Sequence, residues 1–182
     1  MEVESVKTGI LEENCYVLSK EDECLIIDPG DDFSKIKKLI GKRKVLGVLI
    51  THYHFDHIGA LDDVLINYKT SLIDYKSYEY QNIGPFSFEI IKTPGHKDDA
   101  VTYYFKDEKI MFVGDFIFKG TIGRCDLKGG NINDMKRSIN LIKKYDKKIK
   151  LYPGHGDYTT LEYEMNNNLY MRWFIWVKKL LY

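Results

Sequence analysis

Three imidazoles and one carboxylate are concentrated between Thr51 and His57, where the sequence reads Thr-His-Tyr-His-Phe-Asp-His. The chain contains five histidines, and the other two, His96 and His155, each follow a Pro-Gly pair. Neutral imidazole is a common ligand of zinc and iron, and carboxylates complete such sites. The pattern therefore predicts a metal centre that gathers its ligands from several loops.

The spacing within this segment divides its ligands into two pairs. His52 and His54 follow an apolar run, residues 45–50, that has the composition of a buried strand. In an extended segment, residues two apart face the same way, so both imidazoles can reach one metal ion. Asp56 and His57 come after the turn, at the start of a helix, and point toward a second ion.

Another apolar run, residues 110–113, ends in Gly114-Asp115. A lone Asp at a strand end is more often a turn residue, but the other candidate ligands make Asp115 the expected bridge between two ions. We expect His96 and His155 each to add a third ligand to one site. Two cations ~3.5–4 Å apart lower the pKa of a bridging water and polarise a carbonyl or phosphoryl oxygen. The ligand set therefore predicts hydrolysis at neutral pH.

Short strands and amphipathic helices must position these residues. Apolar and alternating runs predict strands over residues 3–8, 14–18, 24–28, 45–51, 71–74, 86–93, 101–105, 110–113 and 149–152. Apolar residues at helical spacing predict helices over residues 33–41, 58–68 and 134–145, the last capped by Asn131 or Asn133. This order of elements indicates two sheets whose outer faces are covered by helices.

Composition sets the broad class. The chain has 182 residues, of which 44% are hydrophobic, enough for one domain with a sizeable core. Lys+Arg and Asp+Glu are both 27, so the balance does not favour nucleic acid or an anionic membrane. Cys15, Cys24 and Cys125 form no C-x-x-C pair, which indicates a reducing cytoplasm. We expect no secretory signal and no membrane span, because no apolar run reaches ~18 residues.

The last residues differ from the rest. We expect a domain over residues 1–168 and an apolar tail over residues 169–182, which contains both tryptophans. The tail is predicted to be a helix that docks on the core or joins two copies of the chain in a homodimer. A membrane-surface helix with Arg172, Lys178 and Lys179 on its polar edge is the alternative.

The Thr-His-x-His-x-Asp-His segment, the two Pro-Gly-His segments and Gly114-Asp115 together resemble the metallo-β-lactamase superfamily. Within it, the chain is similar to small glyoxalase II-like hydrolases over about residues 1 to 172, through Asn14-Cys15-Tyr16, Asp28-Pro29-Gly30 and Gly123 to Gly130. The resemblance implies an α/β fold, a four-layer αββα sandwich with the metals at one edge of the two sheets.

The resemblance also implies roles for individual residues. The first metal is assigned His52, His54 and His96, the second is assigned Asp56, His57 and His155, and Asp115 bridges them. A bridging hydroxide would attack the carbonyl of a thioester, and Asp56 would orient the water or accept its proton. Arg124 is the expected contact to a substrate carboxylate. Zinc is the expected metal, and iron and manganese are alternatives.

The chain also departs from glyoxalase II. That group carries a helical C-terminal domain that binds glutathione, and we expect no such domain from this sequence. The segment Gly156-Asp157-Tyr158 has no aromatic residue at the particular position that the group uses for glutathione, and Leu169 stands where a proline is usual after Asn168. We therefore expect a small thioester as substrate, either an acyl-glutathione or the ester of a related low-molecular-weight thiol.

Alternative functions remain within the same motif. A persulfide dioxygenase would hold a single iron with His52 or His54, His96 and Asp115, close to a two-His, one-carboxylate arrangement. Lactonase, phosphodiesterase and ribonuclease activities, and a non-catalytic metal-binding role, rank lower. The number of bound metals distinguishes the first alternative from a binuclear hydrolase.

Overall fold

The first sheet combines a meander with parallel strands, in the order β1-β2-β3-β4-β5. Its strands are β1 (Glu2–Thr8), β2 (Glu13–Lys20), β3 (Glu23–Ile27), β4 (Lys44–Leu49) and β5 (Ser71–Ile73). β1, β2 and β3 are antiparallel, whereas β3 to β4 and β4 to β5 are parallel. Parallel strands need crossover connections. These are α1 (Phe33–Ile40), then α2 (Phe55–Ile58) with α3 (Leu61–Tyr68).

The second sheet has the order β13-β12-β9-β8-β7-β6. Its strands are β6 (Tyr80–Ile83), β7 (Phe86–Lys92), β8 (Val101–Phe105), β9 (Ile110–Gly114), β12 (Lys150–Pro153) and β13 (Thr159–Thr160). A small hairpin, β10 (Ile117–Phe118) with β11 (Thr121–Ile122), follows β9. The helix α4 (Ile132–Ile142) connects this hairpin to β12, which runs parallel to β9.

Three apolar clusters define the layers of this computed structural model, which describes the backbone of residues 1–176 and the side chains of residues 1–172. The central cluster lies between the sheets and includes Leu25 and Phe112. A second joins the first sheet to α1 and α3 through residues such as Ile36. The third joins the second sheet to α4 through Met135 and Ile139. The predicted four-layer αββα sandwich is therefore confirmed.

Most predicted elements are present, and the differences have local causes. The helix predicted over residues 58–68 is divided between α2 and α3, because the backbone departs from helical geometry at Ala60, with φ of −101° and ψ of 9°. A Cβ at Gly59 would lie 2.2 Å from the carbonyl oxygen of Gly30, so this turn packs closely against the loop after β3. The predicted helix over residues 134–145 begins and ends earlier. Its N-cap is Asn131, whose side chain accepts hydrogen bonds from the next turn.

Two further helices follow β13, namely α5 (Leu161–Asn167) and α6 (Leu169–Trp176). Met171 of α6 is fully buried in the cluster beneath α4, and Lys143 donates a hydrogen bond to its carbonyl oxygen. The described start of the predicted tail is thus helical, and residues 177–182 of that prediction lie outside the described residues. Within residues 1–176, no helix has the length and hydropathy needed to cross a membrane.

Candidate metal centre

The candidate ligands lie where strand ends from both sheets meet. β9 and β12 are parallel, and β7 has the same direction because β8 is antiparallel to both β7 and β9. The chain therefore leaves these three strands at one edge, just before His96, Asp115 and His155. The loop after β4, in the other sheet, reaches the same edge, and the amide of Val101 donates to the carbonyl of Thr51 at 2.8 Å.

The first ligand group consists of three imidazoles. Nδ1 of His54 lies 3.1 Å from Nε2 of His52 and 2.8 Å from Nε2 of His96. His52 and His96 are buried, and His54 is half-buried. Three nitrogens this close, each able to present a lone pair, match the ligand set of one cation. The structure thus brings together the three residues predicted for the first metal.

The second group consists of Asp56, His57 and His155. Oδ2 of Asp56 lies 3.2 Å from Nε2 of His155 and 3.9 Å from Nε2 of His57. Ligand atoms of all three residues lie within 4.8 Å of one another. Asp56 and His57 come from α2, directly after His54, whereas His155 follows β12. This group is also the one predicted for a second metal.

Asp115 lies between the two groups. Its Oδ2 is 3.5 Å from Nε2 of His96, and its Oδ1 is 3.3 Å from Nε2 of His57 and 3.7 Å from Nε2 of His155. One carboxylate oxygen thus faces each group. Among the described side chains, Oδ1 of Asp115 and Nε2 of His57 are buried without a hydrogen-bond partner. Such atoms are costly unless something satisfies them, and a cation between them would do so. The residues present therefore fit a metal site.

Outer hydrogen bonds orient the imidazoles. Nδ1 of His57 lies 3.0 Å from Oδ2 of Asp28. Nδ1 of His96 lies 2.7 Å from the carbonyl oxygen of Arg124. Nδ1 of His155 lies 3.1 Å from the carbonyl oxygen of Leu11. Each acceptor selects the tautomer that has the proton on Nδ1. The lone pair of Nε2 is then free to face the centre, as in metal-binding histidines generally.

Asp28 is the residue of this site that the sequence did not assign. It stands in the left-handed region, with φ of 49°, and accepts from the amide and hydroxyl of Thr51 at 2.7 and 2.5 Å. It thereby ties the ligand loop to the end of β3 and holds His57. In the sequence, Asp28-Pro29-Gly30 is a strand end and part of the resemblance, but Asp28 is assigned no role at the site, although a carboxylate before a Pro-Gly turn is an available signal.

Glu13 is buried beside this network, with Oε1 3.9 Å from Nδ1 of His57. Burial, opposed by the attraction of His57 and reinforced by the neighbouring carboxylate of Asp28, raises the pKa of Glu13 to about 10. A carboxyl with this pKa is protonated at neutral pH. Glu13 therefore adds no negative charge beneath the second group.

The two ligand groups differ in basicity. Burial lowers the pKa of His52 and of His54, and neighbouring imidazoles lower both further. A hydrogen bond from His155 to Asp56 raises the pKa of His155. Burial opposes protonation of His57, but Asp28 and Asp115 outweigh it and raise the pKa of His57 well above its usual range. In the absence of metal, His57 and His155 thus keep a second ring proton to a higher pH than His52 and His54 do.

A close approach of chain segments requires glycine at the centre. A Cβ on Gly154 would lie 2.4 Å from Oδ1 of Asp115 and 2.5 Å from Cε1 of His57. Gly154 also donates to the carbonyl of Gly114 at 3.0 Å and accepts from the amide of Asn14 at 2.7 Å. The Pro-Gly before His155 therefore allows the end of β12 to lie against the ligands.

Arg124, predicted to bind a substrate carboxylate, has a different partner in the structure. Its guanidinium is exposed and donates to both carboxylate oxygens of Asp126, each at 2.8 Å. Only its backbone carbonyl touches a candidate ligand, His96. Cys15 and Cys24 are buried, and burial raises the pKa of both thiols, which favours the protonated, unreactive form.

Comparison with known proteins agrees with this geometry. The family model described as the metallo-beta-lactamase superfamily matches residues 8–85 and 81–155. The chain is 34% identical to the probable metallo-hydrolase YqgX of Bacillus subtilis, over 91% of this chain and 95% of that protein. It is 33% identical to a hydroxyacylglutathione hydrolase of Francisella tularensis, over 77% of this chain but only 61% of the relative.

Solved structures share the whole architecture. The BLEG-1 B3 metallo-beta-lactamase superposes with a TM-score of 0.90 at 28% identity, over 93% of this chain and 99% of that one. TTHA1623, solved in a di-iron-bound form, has a TM-score of 0.82 at 26% identity, over 90% of this chain and 98% of that one. The similarity thus extends well beyond the ligand loops.

Proposed function

This chain belongs to the metallo-beta-lactamase superfamily, and we propose that it is a hydrolase of small thioesters that works with two divalent cations. A metal-dependent hydrolase is what the family and the named relatives have in common. The thioester assignment draws support from similarity to a hydroxyacylglutathione hydrolase, of which this chain spans 61%. Zinc is the proposed metal, with iron as the first alternative, since a relative of similar fold has been solved with two irons.

One observation carries the proposal, namely the position of Asp115 between two complete ligand groups. Each of its oxygens lies within 3.7 Å of an imidazole nitrogen of the group that it faces. A single-metal site needs neither the second group nor a carboxylate shared in this way. When bound, a pair of cations lowers the pKa of a water and polarises the oxygen of a substrate carbonyl.

The residues around the pair have distinct tasks. Asp115 sets the separation of the two groups, and the outer acceptors of the imidazoles prevent them from turning away. Asp56 is partly exposed on the open side and contacts His155. Neighbouring imidazoles offset burial and lower the pKa of Asp56, so it is a carboxylate at neutral pH. It can therefore orient a water and accept its proton.

The test is hydrolysis of a thioester panel by protein of measured metal content. We expect turnover of acyl-glutathione or acyl-N-acetylcysteamine esters at about two metal ions per chain, and loss of metal and activity in His54→Ala. Asn67→Ala, on the exposed face of α3, is the matched control and should retain both. Full metal content without turnover of any thioester would reject the thioester assignment.

A persulfide dioxygenase is the second candidate. The observation that favours it is the approach of Asp115 to His96, at 3.5 Å, beside His52 and His54, which provides a two-His, one-carboxylate set within the first group. Oxygen uptake on glutathione persulfide at one iron per chain, with no thioester turnover, would favour this candidate over the hydrolase.

A further inference from the structure

Apolar residues border the open side of the metal centre. His155 and Asp56 are the partly exposed pair on this side, 3.2 Å apart. The backbone of Leu11, in the turn between β1 and β2, accepts from His155, and the ring of Phe118 lies 6.1 Å from the His155 ring. Phe55 directly precedes Asp56. Three separate segments that adjoin this opening thus carry apolar residues.

These side chains are unusually exposed. Ile10 is 94% exposed, Phe55 is 72% exposed and Leu11 is 48% exposed. Single exposed apolar residues are ordinary, but a group of them beside a cleft commonly marks a binding surface. We call Ile10, Leu11, Phe55 and Phe118 the apolar rim. The segments of the apolar rim adjoin His155 through Leu11 and Phe118, and adjoin Asp56 through Phe55.

Cations near the same opening already have carboxylate partners. Lys97, next to His96, contacts Asp99 at 2.9 Å. Arg124, whose carbonyl accepts from His96, is paired in bidentate fashion with Asp126. Lys119, next to Phe118, lies 3.4 Å from Asp157, and Asp98 contacts Lys97 as a further carboxylate. Lys97, Arg124 and Lys119 thus contact four carboxylates among them, so each of the three cations already has an anionic partner.

This balance bears on the thiol part of the substrate. The glutathione moiety carries two carboxylates and one ammonium group, so its recognition requires cations that are free to pair with it. A substrate carboxylate would have to compete with Asp126 for Arg124 or with Asp99 for Lys97. An apolar acyl chain meets no such competition, and its burial against the apolar rim is favourable.

We propose that the substrate is a thioester with an apolar acyl chain, which lies on the apolar rim. The thiol moiety of this substrate is bound without an ion pair between a substrate carboxylate and a protein cation. The proposal deepens the proposed thioester activity and rests on it. Phe55 is the specificity residue that it singles out, because Phe55 is both exposed and adjacent to Asp56.

Binding of non-hydrolysable thioethers to the metal-loaded protein tests the idea without catalysis. Methyl and octyl thioethers of neutral N-acetylcysteamine and of glutathione form the panel, with Kd measured by calorimetry. We expect octyl to bind roughly 30-fold more tightly than methyl, which corresponds to burial of part of the chain on an open surface. The glutathione pair should bind no more tightly than the neutral pair. Equal binding of methyl and octyl, or a clear preference for glutathione, would overturn the proposal.

Variants locate the effect on the surface. Phe55→Ser should reduce the advantage of octyl over methyl by about tenfold, and Ile10→Ser should reduce it in the same direction. Ile66→Ser is the matched control, because Ile66 on α3 is also 72% exposed but adjoins none of the candidate ligands in the chain. An octyl advantage that persists in both rim variants would show that the chain binds elsewhere and would reject the apolar rim.

Turnover measurements separate the two proposals. With acetyl and octanoyl esters of N-acetylcysteamine, we expect kcat/KM to rise with chain length in the unmodified protein and to rise less in Phe55→Ser. Tight, Phe55-dependent binding of octyl thioethers without ester hydrolysis would support the apolar rim and reject thioesterase activity. Hydrolysis that is independent of chain length would support thioesterase activity and reject the apolar rim.

Discussion

At the level of single residues, the centre depends on Asp115 more than on any one histidine. Each imidazole serves one ligand group, whereas Asp115 directs one oxygen to each. Oδ1 of Asp115 is also one of the buried atoms that have no hydrogen-bond partner among the described residues. A carboxylate is kept in such a position at a free-energy cost, which bound cations offset.

Asp115→Asn tests this bridging position. The amide keeps the shape of the side chain but removes the charge, so we expect the affinity of both metal sites to fall together, by about 100-fold or more. Metal content after dialysis against a buffered metal series measures it. Asp126→Asn, an exposed carboxylate paired with Arg124, is the control and should keep both ions. Loss of a single ion in Asp115→Asn would refute the bridge.

The contrast in histidine pKa predicts the order in which metal is lost on acidification. In the metal-free protein, the pKa values of His57 and His155 are raised and those of His52 and His54 are lowered. Protons therefore compete with metal in the second group at a higher pH than in the first. As the pH falls, the second group should release its ion first, giving two steps in a titration of bound metal.

His155→Ala identifies the steps of that titration. Because the variant lacks one ligand of the second group, the step at higher pH should be missing and the step at lower pH should be unchanged. A single step in the unmodified protein, or disappearance of the lower step in His155→Ala, would contradict the assignment of histidines to the two groups.

At the level of elements, the site is built by strand ends rather than by the strands themselves. β7, β9 and β12 deliver their next residues to one edge, and β4 delivers its loop from the other sheet. The end of β12 packs so closely on the ligands that Gly154 has no space for a methyl group. Backbone position at this strand end is therefore coupled to ligand geometry.

Gly154→Ala should disturb the ligands without dissolving the fold. A Cβ 2.4 Å from Oδ1 of Asp115 must move either β12 or the carboxylate, so we expect at least a tenfold loss of metal affinity. Gly41→Ala, at the end of α1, is strained by its φ of 64° but has no close neighbours. This control should lower the free energy of unfolding by about 1–2 kcal/mol and leave metal binding intact. Normal metal affinity in Gly154→Ala, with unchanged circular dichroism in both variants, would show that the backbone position at the end of β12 does not control ligand geometry.

At the level of the whole molecule, the metal centre crosslinks segments that are far apart in the chain. Its candidate ligands extend from His52 to His155 and include residues from loops of both sheets. A cation that binds only the folded chain stabilises it by mass action. The metal centre should therefore contribute to stability as well as to chemistry.

Removal of metal should lower the unfolding temperature by about 10 °C, on the basis of about 4 kcal/mol of binding free energy at a large excess of metal over Kd. Calorimetry with and without a chelator measures the change, and added metal should restore it. Asp126→Asn should behave like the unmodified protein, whereas His54→Ala should respond much less. An unfolding temperature that does not depend on the chelator would mean that the centre binds little metal.

The apolar tail concerns assembly of the molecule. We expect deletion of residues 173–182 to change oligomer size or solubility more than turnover per active site, because the tail is predicted to join copies of the chain. Light scattering and kcat/KM measure the two effects. A large loss of turnover with unchanged size would show that the tail acts on the active site instead.

Much of the fold was readable from the sequence, because its strong signals are local. Apolar periodicity predicts most strands and α1, and Asn131 marks the start of α4. The short strands β6, β10, β11 and β13 were missed, because few residues in them alternate and tertiary pairing stabilises them. The break between α2 and α3 adjoins Gly59, whose close packing against Gly30 depends on tertiary structure rather than on local sequence.

By itself, the sequence determined the chemical inventory, which comprises five histidines, the carboxylates of Asp56 and Asp115, and the turns that precede or follow them. Residue type and spacing suffice for that, since a ligand's chemistry belongs to its side chain. Only the tertiary structure decided which atoms face one another, that Asp28 holds His57, and that Arg124 is paired with Asp126. Those facts depend on distances between segments that lie far apart in the chain, and only packing of the two sheets determines such distances.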